Sequence, residues 1–438
     1  MGKGQDLYLK AKKIIPGGTQ LLSKRPEMFL PEQWPSYYAK SKGCIVTDLD
    51  GKEYLDVCYM GVGACVLGYA FDRVDNAAKL AIENGGMCTL NAPEEVDLAQ
   101  ELIRLHPWAD MVRYGKAGGE AMSIAVRIAR AYTKKDIVLI CGYHGWQDWY
   151  IATNLGDTSA LNAHHLAGLE PTGVPSQLIG TTLPFYYNNI EQFRELTRSY
   201  EGKIAAVVME PVRNDYPLPG FVQEIRQYTL ENNNVLIFDE ITAGFRIACG
   251  GSHKNPKVGV EPDIAVFGKA IANGYPISAI IGKGHIMSAA QDSFISSTFW
   301  TERIGLTAAL ATIKFYEENK IEERLQDIGQ KVQVIWKSAA EQCGFDIEVG
   351  GILPLSHFDI KLGEPLVCKT YFNQLMLKRG FLASTAFYAS YAHTNVILDK
   401  YRTAVNEVFA EIARAHQVGN IKNMLKGPIC HAGFQRLN

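Results

Sequence analysis

The segment VLIFDEITAGFR, residues 235–246, places two acids, Asp239 and Glu240, at the end of an apolar run that is typical of a buried strand. Two chemistries use an acid in this position. In an ATPase, an Asp-Glu pair after a hydrophobic strand holds the magnesium of a bound nucleotide. In a pyridoxal-phosphate enzyme, the Asp pairs with the protonated pyridine nitrogen of the cofactor.

The ATPase alternative lacks its phosphate loop. That loop has the pattern G-x-x-x-x-G-K-[ST], which is absent from the sequence. Gly268-Lys269 is followed by Ala270, and the residue five positions before Gly268 is Asp263. The pattern therefore disfavours nucleotide binding, because both the phosphate cradle and the magnesium-binding hydroxyl are missing.

Lys269 follows a second apolar run, in DIAVFGKAIANGYP, 30 residues after Asp239. A buried amine has a lowered pKa and can attack an aldehyde. A lone lysine is more often a solvated loop residue, but the pairing with Asp239 changes this interpretation. Pyridoxal-phosphate chemistry needs a lysine for the imine and an acid for the pyridinium nitrogen.

A phosphate site is predicted at Gly118-Gly119, which come immediately before an amphipathic helical pattern. Free backbone N–H groups and the positive end of a helix dipole attract an anion at such a point. A Gly-Gly turn alone is weak evidence for a phosphate site, and it supports one here only in combination with Asp239 and Lys269. Tyr143, in ICGYHGW, is an aromatic side chain that can stack on a flat ring.

The elements that must position these residues alternate along the chain. Apolar runs predict the strands Met111–Tyr114, Ile137–Cys141, Ile204–Glu210, Val235–Asp239, Ile264–Phe267 and Ala279–Gly282. Helical patterns predict Glu95–Leu105, Glu120–Tyr132 and Ile190–Tyr200. This alternation favours an α/β domain with a mostly parallel sheet, and ligands are expected where its strands end.

The two ends of the chain differ from this middle part. Residues 44–57 predict a hairpin turning at Asp50-Gly51. Two long amphipathic patterns, IEERLQDIGQKVQVIWKSAAEQCG and YRTAVNEVFAEIARAHQ, follow residue 320. We expect a large domain over residues 61–320 and a smaller α+β domain over 321–438, against which the N-terminal segment 1–60 packs.

The composition limits the partners. The 438 residues carry 44 Lys and Arg against 46 Asp and Glu, a net charge of −2, so no overall field favours nucleic acid or an anionic membrane. No apolar run approaches the ~18 residues of a membrane span, and no signal-peptide core is visible. Cysteine and histidine spacing predicts no metal site. We expect a cytoplasmic protein.

Six segments resemble the class III, fold-type I pyridoxal-phosphate aminotransferases, in the branch that contains glutamate-1-semialdehyde aminomutase. They are IPGG at 15–18, GYHG at 142–145, EPV at 210–212, FDEITAGFR at 238–246, FGKAIANGYP at 267–276 and AHT at 392–394. The resemblance covers nearly the whole length. It implies pyridoxal 5'-phosphate as the cofactor and a small-molecule amino donor and carbonyl acceptor as partners.

The resemblance also implies a role for each residue of the ring site. Lys269 is expected to be the Schiff-base lysine and proton shuttle, and Asp239 the partner of the pyridinium nitrogen. Tyr143 and Ile241 are expected to cover the two faces of the ring.

The phosphate is expected to be shared between two subunits. Gly118 and Gly119 bind it through backbone amides. Thr298, in SSTFWT, resembles the threonine that reaches the phosphate of the neighbouring subunit, which implies a homodimer with shared active sites.

The sequence departs from the family pattern at three places. Residues 117–121 read AGGEA where the family has SGTEA, so two hydroxyl donors are lost and Lys116 is a candidate replacement. Thr385 stands where the aminomutase has its gating glutamate. Lys24 and Arg25 are out of register with its substrate-binding arginine. These differences favour a two-substrate transaminase over the aminomutase.

The expected function is transfer of an amino group from a donor, most simply glutamate, to a carbonyl acceptor. The alternatives are an intramolecular aminomutase, a pyridoxal-phosphate decarboxylase or racemase, and a catalytically silent binding protein. Candidate substrate contacts are Trp34 and Arg246, with Glu210 as a possible partner of that arginine.

Overall fold

The computed structural model describes residues 2–164, 166–419 and 421–437. Contacts divide the chain into two compact units. Unit 1 joins Met1–Phe71 to Glu323–Asn438, and unit 2 is Asp72–Glu322. Within the described residues, no helix is long and apolar enough to cross a membrane. The same residues contain no cluster of three or more His, Cys, Asp or Glu side chains suited to a metal ion.

The strands, in chain order, are β1 (Tyr38–Lys42), β2 (Ile45–Asp48), β3 (Glu53–Asp56), β4 (Met111–Gly115), β5 (Ile137–Cys141), β6 (Thr182–Pro184), β7 (Ile204–Met209), β8 (Val235–Asp239), β9 (Ile264–Phe267), β10 (Ser278–Gly282), β11 (Ile347–Gly350), β12 (Leu355–Ile360), β13 (Phe381–Leu382) and β14 (Ala386–Tyr388). The helices are α1 (Lys3–Ile14), α2 (Asp72–Glu83), α3 (Glu94–Leu105), α4 (Gly118–Thr133), α5 (Asp148–Ile151), α6 (Ile190–Ser199), α7 (Phe221–Glu231), α8 (Gly284–Met287), α9 (Arg303–Asn319), α10 (Ile321–Cys343), α11 (Pro365–Lys378) and α12 (Asn395–Gln417).

Unit 2 contains a seven-stranded sheet in the order β4-β10-β9-β8-β7-β5-β6. Strand β10 is antiparallel to both of its neighbours, and the pairs from β9 to β6 are parallel. The predicted mostly parallel sheet is therefore confirmed. The short strand β6 was not predicted, because three residues are too few to form a recognisable apolar pattern.

The inner strands β7, β8 and β9 are buried along their whole length. This burial is why they read as continuous apolar runs rather than as alternating patterns. Their side chains share one core cluster with the apolar face of α4. Because β5, β7, β8 and β9 are parallel, their carboxyl ends lie at one edge of the sheet, where ligands are expected to bind.

Unit 1 contains two smaller sheets, in the orders β1-β2-β3-β13 and β11-β12-β14. The predicted hairpin is confirmed, since β2 and β3 pair antiparallel across the turn at Asp50-Gly51. Gly51 has a φ of 83°, a conformation that glycine adopts without strain. The parallel pairing of β3 with β13 joins the N-terminal and C-terminal parts of this unit.

Candidate active site

Four of the predicted site residues lie where parallel strands of unit 2 end. Asp239 is the last residue of β8, and Glu210 directly follows β7. Tyr143 and Lys269 come two residues after the ends of β5 and β9. The sheet thus brings an acid, an amine and an aromatic ring to one edge, as the sequence predicts for residues at the carboxyl ends of neighbouring parallel strands.

Asp239 is only 4% exposed, and its two carboxylate oxygens have different partners. One oxygen lies 2.8 Å from Nδ1 of His144, and the other accepts a hydrogen bond from the N–H of Ile241 at 3.0 Å. Burial raises the pKa of Asp239, while the His144 contact lowers it. A buried carboxylate is strongly stabilised by an additional N–H partner of positive charge, and a protonated pyridine nitrogen is such a partner.

The amine of Lys269 donates a hydrogen bond to Oγ1 of Thr242 at 2.9 Å. Burial, followed by the positive charges of Arg213 and Arg246, lowers the pKa of Lys269 from 10.5 to about 8. About a tenth of the amine is therefore neutral near pH 7, far more than for an ordinary lysine, and the neutral amine is the nucleophilic form. Lys269 also has a φ of 44°, an uncommon backbone conformation that occurs in functional sites.

Tyr143 and Ile241 are both half-buried and pack against the same core cluster of unit 2. The backbone of Tyr143 is fixed, because its N–H donates to Oε2 of Glu210 at 3.1 Å. A Cβ at Gly118 would lie 2.8 Å from Cδ1 of Ile241, so Ile241 can keep its position only if residue 118 is glycine. These contacts fit a narrow site for a flat ring near Asp239.

Helix α4 begins at Gly118 rather than at Glu120, so Gly118 and Gly119 are its first residues and do not precede it. The N–H groups of a first helical turn have no acceptor within the helix and can bind a phosphate. A Cβ at Gly119 would collide with the side-chain amide of Gln147. Gln147, for which the sequence predicted no role, therefore places a polar amide beside the predicted phosphate site.

Lys116, the candidate replacement for the missing hydroxyl groups, is paired with an acid. Its amine donates to Oε2 of Glu302 at 2.8 Å, and this ion pair balances its charge. The carboxylate of Glu120 accepts the backbone N–H groups of Lys116 and Ala117. The N–H groups of the two glycines and the amide of Gln147 are then the polar groups best placed at this helix end.

Glu210 forms an ion pair with Arg213, another residue for which the sequence predicted no role. Nη1 of Arg213 lies 2.6 and 2.7 Å from the two carboxylate oxygens of Glu210. Burial opposes ionisation of Glu210, but the charge of Arg213 and other favourable contacts outweigh it and lower the pKa. Arg246, the predicted cationic residue, is 1% exposed, and its Nε donates to the carbonyl of Thr242 at 2.7 Å.

Two other predicted residues make no hydrogen bond with the site residues of unit 2 described above. Thr298 is exposed, in a short 3₁₀ turn over Thr298–Thr301 of unit 2. Among the described residues, none of the cluster's hydrogen bonds reaches it. Trp34 belongs to unit 1, where its ring stacks on Phe29 with centroids 4.5 Å apart.

Comparison with known proteins places this fold and site in one family. The model of the aminotransferase class-III family matches residues 31–348, and the chain belongs to that family. A 3-aminobutyryl-CoA aminotransferase from Cloacimonas acidaminovorans is 30% identical over 94% of this chain and 98% of the relative. A glutamate-1-semialdehyde 2,1-aminomutase from Archaeoglobus fulgidus is 32% identical over 93% and 99%.

A solved structure agrees with this assignment. The FumI protein of Sphingopyxis sp. MTA144, in a form that contains pyridoxal phosphate, superposes with a TM-score of 0.85 at 25% identity. The superposition covers 95% of this chain and 100% of FumI. The predicted family and fold type are confirmed, and the chain is a pyridoxal-phosphate-dependent aminotransferase of class III.

Proposed function

We propose that the protein is a two-substrate aminotransferase that takes an amino group from a donor, most simply glutamate, and passes it to a carbonyl acceptor. The observation that supports this proposal is the placement of a half-buried amine of lowered pKa, Lys269, and a buried carboxylate, Asp239, at one edge of the sheet. When bound, pyridoxal phosphate supplies an aldehyde that carries the amino group and a ring that accepts electrons.

Each site residue has a separate proposed role, which follows from its position. Lys269 would hold the cofactor through Nζ and would move a proton at the reacting carbon, while Thr242 orients its amine. Asp239 would keep the pyridine nitrogen protonated, and His144 and the N–H of Ile241 hold its carboxylate in place. The first turn of α4 would hold the phosphate through its free N–H groups.

The second candidate is an intramolecular aminomutase. It is favoured by the 32% identity with the Archaeoglobus fulgidus aminomutase, which extends over nearly the whole chain. It is disfavoured by Thr385, which has no carboxylate where that reaction's gating glutamate is expected.

The test is a half-reaction. Mixing the holoenzyme with L-glutamate alone is expected to change the visible absorbance of the cofactor and to release one equivalent of 2-oxoglutarate per active site. Lys269→Ala is the control, which is expected to release none and to lose borohydride-dependent attachment of the cofactor. If no amino acid reacts alone, while one amino-carbonyl compound is isomerised, the aminomutase is the correct assignment.

We also propose that two copies of the chain form a dimer with shared active sites, in which Thr298 completes the phosphate site of the partner. Two observations support this. Thr298 is exposed, as a donor to another subunit must be. Large apolar side chains near it in sequence are exposed too, with Phe294 at 87% and Phe299 at 65%, and such side chains are normally covered.

The dimer is tested by complementation. Thr298→Asp repels the phosphate at both sites of a homodimer, and Lys269→Ala removes the chemistry at both. A mixed dimer regains one complete site, because each chain supplies what the other lacks. Co-refolding the two inactive variants is expected to restore roughly a quarter of the wild-type activity if half of the dimers are mixed. No recovery, despite demonstrated subunit exchange, would exclude the shared site.

A further inference from the structure

Unit 1 contains a cavity of about 550 Å³ that is lined only by residues of that unit. Its walls come from the segment 30–33, from β3, α11 and α12, and from the segment 424–426. The buried side chains that form its apolar part are Leu30, Tyr54, Tyr371 and Leu375. The volume lies within the range of roughly 300–1,000 Å³ that is usual for small-molecule sites.

Positive charge exceeds negative charge around this cavity. Lys52, Lys378 and Lys426 line it, and none of the three forms an ion pair with an acid in the described part of the chain. Glu411 is the acid among the lining residues, and its charge is balanced by an ion pair with Arg379. Three cations without acidic partners therefore surround one space, which makes the cavity attractive to an anion.

The amide of Gln33 also lacks a partner at this cavity. Its Nε2 is buried and has no hydrogen-bond acceptor among the described residues. A Cβ at Gly427 would lie 3.0 Å from this nitrogen, so the amide is beside the backbone that carries Lys426. The amide of Gln374, in contrast, donates to the carbonyl of Met424 at 3.0 Å and accepts the N–H of Lys426 at 2.7 Å. A buried donor without an acceptor indicates that a ligand or solvent supplies one.

We propose that this cavity binds a small molecule that carries a phosphate group and an apolar part. The cations are lysines, which bind phosphate as point charges, whereas a planar carboxylate is matched best by the fork of an arginine. Nζ of Lys52 lies 4.8 Å from the centroid of the Tyr54 ring, so a cation is placed beside the aromatic wall. The phosphate contacts the lysines and the N–H of Gln33, while the apolar part contacts Tyr54 and Tyr371. The site does not depend on the aminotransferase function.

The first experiment measures the binding of phenyl phosphate to the holoenzyme by calorimetry, because the pyridoxal-phosphate site is then already filled. The double variant Lys378→Gln/Lys426→Gln is expected to weaken this binding about tenfold or more, the value of one or more charged hydrogen bonds. Both lysines are exposed, so the thermal midpoint without ligand is expected to stay close to that of the wild type. No binding by the wild type, or equal binding by the double variant, would overturn the proposal.

Lys10→Gln/Lys13→Gln is the matched control. Both lysines are exposed on α1 of unit 1 and do not line the cavity, so this variant removes the same charge from the same unit. Its affinity for phenyl phosphate is expected to stay within about twofold of the wild type, since exposed charges at a distance are screened by salt. An equal loss of affinity in the two double variants would mean that net charge, and not the cavity, attracts the anion.

The second experiment tests the amide and the kind of anion. Gln33→Leu removes the unpartnered donor without changing the charge, and it is expected to weaken phenyl phosphate binding about three- to tenfold. Inorganic phosphate is expected to bind more weakly than phenyl phosphate, because it has no apolar part. Citrate, which has three carboxylates and no phosphate, is expected to bind more weakly as well. Unchanged affinity in Gln33→Leu, or citrate binding as tight as that of phenyl phosphate, would contradict a phosphate site.

Discussion

Asp239 and Glu240 are consecutive buried acids with opposite environments. Asp239 accepts from His144 and from one backbone N–H, and burial raises its pKa. Glu240 accepts from the N–H and hydroxyl of Ser252 and from the N–H and ring of His253. Burial opposes its ionisation too, but the contacts with His253 and Ser252 outweigh burial and lower its pKa. Asp239 can therefore still bind a ligand, while the hydrogen bonds of Glu240 all serve to hold the fold together.

The histidines beside these acids show the same contrast. Each presents Nδ1 to its carboxylate, at 2.8 Å for His144 and 2.7 Å for His253. Nε2 of His253 accepts a hydrogen bond from Trp108 at 3.2 Å, which completes its network. Nε2 of His144 is buried and has no hydrogen-bond partner in the described part of the chain. Complete networks hold loops in place, and incomplete ones mark sites where a ligand or solvent contributes.

The largest effect is expected from Asp239→Asn. The substitution keeps the shape but removes the charge that is proposed to hold the pyridine nitrogen protonated, so the half-reaction with glutamate is expected to slow by about two to four orders of magnitude. Thermal stability is expected to change little, because Asn also accepts a hydrogen bond from the N–H of Ile241. Stopped-flow absorbance and the thermal midpoint measure the two effects. A near-normal half-reaction rate in Asp239→Asn would show that Asp239, like Glu240, has no role toward the cofactor.

The amine of Lys269 is expected to titrate near pH 8 in the apoenzyme. Because its pKa is lowered, the neutral amine predominates above that pH, and near pH 7 its neutral fraction is roughly a few hundred times that of an ordinary lysine. Trinitrobenzenesulfonate labelling as a function of pH measures the titration midpoint of the amine. The labelling phase that is lost in Lys269→Ala is the one that belongs to Lys269. A midpoint above pH 10 would contradict the buried environment described here.

Glu240→Gln is expected to cost about 1–3 kcal/mol of stability, since an amide cannot accept every hydrogen bond that the carboxylate accepts. The rate per folded molecule is expected to remain close to that of the wild type. The pKa of Glu240 is lowered in the folded state, so its stabilisation is present above the unfolded pKa of about 4.3 and is lost as the pH falls below it. The difference in thermal midpoint between wild type and variant should narrow below that pH.

The sequence predicts the strands that end at the site residues better than it predicts the side-chain contacts that shift the pKa values of those residues. Strands β8 and β9 have the predicted bounds, because a strand buried on both faces is a short apolar run with a clear end. Glu240, by contrast, finds its partners on a turn more than ten residues away, and Arg213 affects Lys269 through the packing of separate loops. Gln147 lies beside Gly119 for the same reason. No spacing rule indicates such contacts, since they depend on how loops fold over the sheet edge.

The smallest effect is expected from Trp108→Phe, which tests whether the Glu240 network is separate from the site. The substitution removes the indole N–H that His253 accepts and keeps an aromatic ring against His106 and His253. The loss of one hydrogen bond is expected to cost about 1 kcal/mol. Glu240 keeps all four of its own hydrogen bonds, so the half-reaction with glutamate is expected to be unchanged. A slower half-reaction at unchanged stability would mean that the network reaches Asp239 through the backbone that joins the two acids, and the separation drawn between them would be wrong.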